Sequence, residues 1–275
     1  MSVRPTNITA PVEGVASPAP PLEQRFVLGM RVDATSYDDA AERVLRWAHE
    51  RRGRFVSVAN VHMTMEAHED PSFRSLVNRA DLVTPDGMPL VWALRRLGAR
   101  HASRVYGPTL TLHVCERAAA QGVPVGFHGG RPEGLQPLVA NLQRRFPGLQ
   151  VAYAESPPFT EPTPDDDART VERILASGAR ILFVGLGCPK QERWMAAHRD
   201  RLPLVQLGVG AAFDFHAGLV RQAPPALQRL GLEWAFRLAM EPRRLARRYL
   251  RHNPRFVWHF GRQLLREQPR PATSR

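Results

Sequence analysis

Residues Arg180–Gly210 read RILFVGLGCPKQERWMAAHRDRLPLVQLGVG. The apolar run RILFVGLG has the length of a buried strand and ends in glycines. PKQERWMAAHRD follows, with proline at its start and the composition of a helix. A second strand pattern, LVQLGVGAAF (Leu204–Phe213), comes next. A strand, a helix and a strand in this order build a crossover unit, and the two strands of such a unit lie parallel.

The same alternation extends toward the N-terminus. RFVSVAN (Arg54–Asn60), DLVTP, VPVGFHGG and LQVAYAES read as strands. PSFRSLVNRA, MPLVWALRRLG ending at Gly98, Pro108–Gly122, a segment ending at Arg145, and Asp165–Ser177 read as helices between them. Ser36 with Asp39 reads as a capping box opening a helix that Gly53 ends. The expected fold class is α/β, a Rossmann-like parallel sheet with helices on both faces over residues 25–222. Residues 1–24 carry five prolines and no apolar run, which reads as a disordered leader rather than a signal peptide.

The charge is uneven. Of the net +12, the residues from Arg221 onward hold +10, with 13 arginines against three acids. In that tail, Leu227, Leu230, Trp234, Leu238 and Leu245 recur at roughly helical spacing, and aromatics alternate with arginines. Residues 223–275 therefore read as a basic amphipathic helical appendage suited to an anionic bilayer surface. A helix packed on the core and a nucleic-acid patch are the competing readings. The two cysteines, Cys115 and Cys188, exclude a disulfide scaffold. No apolar stretch approaches the ~18 residues of a membrane span. His62, His68, His128 and His216 lack metal-ligand spacing, so no metal site is expected.

In parallel sheets ligands sit outside the carboxyl ends of the strands. That places the candidates in the loops after strands. Asn60 is a turn residue or a substrate donor. Asp86, before Gly87, is an ordinary turn residue or a general base. Gly87, Gly129, Gly130, Gly185, Gly187, Gly208 and Gly210 offer backbone to a ligand. Asp214 is a cap or a substrate contact. Arg104 is a solvated cation or a phosphate partner. Lys190 is the only lysine in the chain. It stands in the first turn of a helix, where its charge opposes the macrodipole. A phosphate ligand would explain it; ion pairing with Glu192 or plain chance are the alternatives. The glycines match neither the dinucleotide fingerprint nor a P-loop.

Six stretches carry a family resemblance: ADLVTPDGMPLVWALRRLG, RVYG, FHGGRPEG, FVGLGCPKQERW, GVGAAFDFHAG and APPALQRLGLEWAFRLAMEPRRLARRYL. In this order, over roughly residues 55–250, the chain resembles the WecG/TagA/CpsF glycosyltransferases. The resemblance implies transfer of a sugar from a UDP-sugar to a polyprenyl-diphosphate-linked saccharide, with inversion. The sugar would be of the N-acetylmannosamine, glucose or uronate type. The work would be done at the cytoplasmic face of the plasma membrane, in cell-surface or exopolysaccharide synthesis. The resemblance makes Asp86 the base and carries Asn60, Arg104 and Gln191 into the catalytic set. It departs from the pattern at Val58, where many members have threonine. It also implies a membrane-engaging basic tail.

The chemistry agrees. Inverting transfer needs one base and no covalent intermediate. Without a metal, cations must stabilise the leaving diphosphate. Lys190, Arg104 and the tail arginines Arg237, Arg244 and Arg248 are the candidates. No cofactor and no metal are expected, since the UDP-sugar is a substrate. The expected partners are the UDP-sugar, the lipid-linked acceptor and an anionic membrane surface. A homo-oligomer is left open, and nucleic acid is not expected. Two rivals remain. One is a nucleotide-binding regulatory or nucleic-acid-binding protein using the tail. The other is an NAD-linked oxidoreductase, which the missing fingerprint opposes.

Overall fold

The computed structural model describes residues 21–158, 162–224, 226–227 and 231–267, with only the backbone of Arg244 and Glu267. Residues 1–20 of the expected leader lie outside the described residues, as does Leu230 of the expected amphipathic pattern.

The described residues begin with a hairpin that the strand pattern did not indicate. β1 (Gln24–Val27) pairs antiparallel with β2 (Met30–Asp33). Leu28 and Gly29 make the turn, with φ of 53° and 84°. This pair of positive φ values is what a two-residue hairpin turn requires.

α1 (Tyr37–Glu50) follows. The Ser36 hydroxyl caps it by accepting from the Asp39 N–H at 3.2 Å. The reciprocal half of the expected capping box is replaced: the Asp39 carboxylate accepts from the Thr35 hydroxyl and from Arg43. The helix ends at Arg51, ahead of Gly53. Gly53 is instead pressed against the Arg199 carbonyl, where a Cβ would stand 1.6 Å from the oxygen.

The main sheet holds β3 (Arg54–Ala59), β4 (Leu82–Pro85), β5 (Val125–Gly129), β6 (Val151–Glu155), β7 (Ile181–Gly185) and β8 (Val205–Gly208). The spatial order is β4-β3-β8-β7-β5-β6, and every neighbouring pair is parallel. Alternate residues of each strand face opposite layers. One layer contains α1, α5 (Gly107–Gln121), α6 (Pro132–Arg145) and α9 (Ala212–His216). The other contains α2 (Val61–Glu69), α3 (Pro71–Asn78), α4 (Met88–Arg96), α7 (Pro164–Ser177) and α8 (Lys190–His198). The sheet expected to run on to Phe213 stops at Gly208, and Ala212–His216 turn into α9. The three acids Asp165–Asp167 serve the fold. Asp166 completes a capping box with Thr163, and Asp167 pairs with His198 at 2.8 Å.

The C-terminal segment forms α10 (Glu233–Met240) and α11 (Pro242–Glu267). α11 docks by one face. Phe256, 4% exposed, joins the core cluster that includes α2 and α3. Arg251 and Arg255 pair with Glu69 at 3.1 and 2.5 Å. The Gln263 side chain holds the β1–β2 hairpin through the Leu28 N–H and the Phe26 carbonyl, at 2.8 and 2.7 Å. The opposite face leaves Leu250, Val257, Trp258 and Leu265 exposed, each by 65% or more. None of the described helices is long and apolar enough to cross a membrane.

Candidate active site

The carboxyl ends of β3 and β4 open into a cavity of about 570 Å³. Asn60 and Asp86 line it from the sheet, and Met88 and Trp92 from α4. Glu233 and Arg237 reach it from α10, and Arg248 and Tyr249 from α11. The cavity therefore lies between the sheet edge and the C-terminal segment, and both are needed to form it.

Asp86 follows β4 directly. Its N–H donates to the Ala59 carbonyl at 2.8 Å, which ties the loop to β3. The side chain keeps 19% of its surface open to the cavity, while Oδ1 is covered and accepts no hydrogen bond among the described residues. Burial raises its pKa to about 7, and the negative charge of Glu233 adds to the rise. Arg104, Arg237 and the Gly107 N–H pull the other way without cancelling it. A carboxylate that titrates near neutrality and is open on one side is suited to accept a proton.

Arg104 is fixed from three directions. Its Nε donates to the Asp86 carbonyl at 2.5 Å, and its Nη2 donates to Glu233 at 2.6 Å. Its guanidinium lies over the Tyr106 ring, 4.3 Å from the centroid. The same Nη2 stands 3.8 Å from Asp86 Oδ1. Glu233 is the first residue of α10, so the C-terminal segment positions a cation of the core. Replacing Glu233 by Gln should lower kcat/KM by about tenfold or more, since hydrogen bonds to charged groups are worth about 1.5–3 kcal/mol. It should also shift the acid limb of the rate profile to lower pH. Removing the neighbouring charge eases ionisation of Asp86. A pH series of initial rates on the variant checks both, and an unmoved limb would contradict the assignment.

Arg237 and Arg248 face the same space. The Nε of each is buried with no hydrogen-bond partner among the described residues. Arg237 lies over the Phe215 ring at 5.3 Å, and Arg248 over the Tyr249 ring at 5.4 Å. Buried guanidinium donors without an acceptor are costly unless a ligand supplies one. The Arg244 side chain lies outside the described residues.

Asn60 caps α2, its Oδ1 accepting from the Met63 N–H at 3.2 Å. Its amide Nδ2 is the group left for a ligand. Val58 is buried against Gly107 at the start of α5 rather than in the cavity wall.

The remaining candidates lie along the same sheet edge but not around this cavity. Phe213 covers Gly130 and Gly185, and a Cβ on either would stand 2.8 Å from its ring. Gly129 abuts the Gly185 backbone, and Gly208 abuts Met195 and Gln191. These glycines allow close packing within the protein. Gln191 is buried, accepting from the Gly187 N–H at 3.1 Å and donating to Glu192 at 2.8 Å. Glu192 is fully buried and accepts from Gln191, while Lys190 points to solvent, so the two do not pair. Lys190 itself is exposed at the start of α8. Gly187 has a φ of 78° and open space beside it. Gly210 and the half-buried Asp214 flank the end of β8.

The structure adds groups that spacing did not bring out. Glu233 and Tyr106 complete the Asp86 environment. His62, Glu66 and His252 come together with their ligand atoms within 4.8 Å of one another. The expectation rested on the spacing of the histidines along the sequence, and docking of α11 brings His252 beside His62. Burial, then the charge of Arg248, lowers the His62 pKa to about 4. His62 and Glu66 are four residues apart on one helix, a legible spacing; the third member comes from the far end of the chain.

Residues 25–270 match the model of a family described as the Glycosyl transferase WecG/TagA/CpsF family.

Proposed function

The chain belongs to the WecG/TagA/CpsF glycosyl transferase family, and from that premise we propose that it transfers a sugar from a UDP-sugar to a polyprenyl-diphosphate-linked acceptor with inversion. Membership makes it a glycosyltransferase of cell-surface polysaccharide synthesis. The donor, the acceptor and the stereochemistry are the proposal. One observation carries it: an open carboxylate with a pKa near 7 lines the same cavity as two half-buried arginines, Arg237 and Arg248, whose Nε atoms have no hydrogen-bond partner among the described residues.

The step balances as follows. Asp86 accepts the proton of the acceptor hydroxyl. The hydroxyl oxygen forms a bond to the anomeric carbon from the face opposite UDP. The bond from that carbon to the diphosphate oxygen breaks, and the electron pair leaves with UDP. Arg237 and Arg248 offer their donors to the diphosphate as its charge grows, where a forked guanidinium suits phosphate oxygens. Arg104 sets the Asp86 loop and adds positive charge at the base. These cations can serve the role that a divalent ion serves at other diphosphates, so no metal is expected at the leaving group.

Gly187, Lys190, Gly210 and Asp214 border the neighbouring ends of β7 and β8 and suit the nucleoside end of the donor. Gln191 would act there by shaping the loop through the Gly187 N–H. Within the cavity itself, Trp92, Phe256, Phe260 and Leu264 form an apolar lining suited to a polyprenyl chain. The exposed stripe Leu250, Val257, Trp258 and Leu265 lies on an arginine-rich helix, the pattern of an interfacial helix on an anionic bilayer. Large apolar residues on the outer face favour lipid over nucleic acid. The proposed location is the inner face of the plasma membrane.

The test is a panel of UDP-sugars, of the N-acetylmannosamine, glucose and uronate types, offered with a polyprenyl-diphosphate-linked monosaccharide. UDP release matched by an acceptor heavier by one sugar is the expected result. Salt-sensitive RNA or DNA binding with no sugar consumed would favour a nucleic-acid role.

A further inference from the structure

We propose that His62, Glu66 and His252 bind one zinc-class divalent cation and thereby fasten α11 to α2. His62 and Glu66 stand at i and i+4 on α2, which puts both side chains on one face. His252 enters from α11 against that face. His62 Nε2 is 3.5 Å from Glu66 Oε1, and His252 Nε2 is 3.9 Å from the same oxygen. Zinc holds nitrogen and carboxylate oxygen at about 2.0–2.2 Å, so ligands of one tetrahedral shell sit roughly 3.3 Å apart. The ligand atoms of the three residues all lie within 4.8 Å of one another, so the side chains must draw together to complete one tetrahedral shell.

Several further features support this. His252 is 5% exposed, yet its Nδ1 has no hydrogen-bond partner among the described residues. Two imidazoles and one carboxylate are a donor set for zinc rather than for magnesium or calcium. The cluster borders the cavity through His62 and His252, which leaves room for water as a fourth ligand. Of the basic surroundings, Arg251 and Arg255 pair with Glu69. Arg248 does not, and after burial its charge is the leading cationic influence that lowers the His62 pKa.

The function of such a clasp is positional. It joins two helices far apart in the sequence and steadies the one that carries Arg248. It takes no part in the transfer step, so it stands or falls apart from the glycosyltransferase reading.

The experiment uses the full chain without a histidine tag, stripped with chelator and dialysed. Zinc chloride is titrated calorimetrically, and hydrogen exchange of 242–267 is followed with and without one equivalent. The expected result is one zinc per chain and slower exchange in α11. His252→Ala and Glu66→Gln should each weaken binding by tenfold or more and remove the zinc-dependent slowing. His259→Ala, a histidine on the same helix outside the cluster, should leave both unchanged. No stoichiometric zinc binding, equal binding in the two cluster variants, or α11 exchange indifferent to zinc would each overturn the proposal. If His252→Ala fails to fold, Glu66→Gln alone decides it.

Discussion

Replacing Asp86 by Asn should cut turnover by about two to four orders of magnitude, the range expected for loss of a positioned base. UDP affinity should stay nearly unchanged, because Arg237 and Arg248 remain in place. The wild-type rate should rise with pH through about 7, where burial has moved the Asp86 pKa. The sign follows from the role: a base works ionised, so activity is lost as pH falls and the carboxylate takes up its proton. Asn has no such titration, and the residual rate of the variant should lose this limb. Single-turnover rates and UDP titrations on the same preparation separate the two effects. Transfer near the wild-type rate would remove Asp86 from the mechanism.

Deleting residues 223–275 should lower transfer to the lipid-linked acceptor by at least about two to three orders of magnitude, the cost typical of losing one preorganised charge-stabilising donor. The deletion removes Arg237 and Arg248 from the diphosphate and Glu233 from Arg104. It also uncovers the apolar surface on which Phe256 rests, so the shortened protein should self-associate more readily. Binding to anionic vesicles should be lost with it, and salt should weaken that binding in the full chain. A gentler variant tests the membrane part alone. Trp258→Glu with Leu265→Glu changes exposed positions, which are 65% and 73% open, and should leave the core intact. It should release the protein from vesicles while UDP binding persists. A shortened protein that binds vesicles and transfers like the full chain would give the appendage another purpose.

The alternation of strands and helices was legible because buried parallel strands read as uninterrupted apolar runs. The hairpin at Gln24–Asp33 was hidden because Leu28 occupies a positive-φ position that usually goes to glycine or asparagine. The end of β8 was overrun because Val209 and Ala211–Phe213 continue its apolar composition while the backbone turns into α9. Within the site, Asp86, Asn60 and Arg104 were legible from loops after strands, and the tail arginines from their charge. Glu233 was not. In the sequence it is one of three acids in a basic tail, and only docking of α10 brings it to Arg104. A glycine that admits a ligand and one that admits a neighbouring side chain look alike in sequence; at Gly130 and Gly185 the Phe213 ring takes the space a Cβ would need.

The central claim is a single displacement driven by one base, and the configuration of the product tests it most directly. Asp86 and Glu233 both line the cavity, but Glu233 is held by Arg104, which leaves Asp86 as the base. One displacement at an α-linked UDP-sugar must give a β-linked product. Proton NMR of the first-formed linkage should therefore show inversion. An α-linked product would mean retention, and the account of one base and one displacement would be wrong.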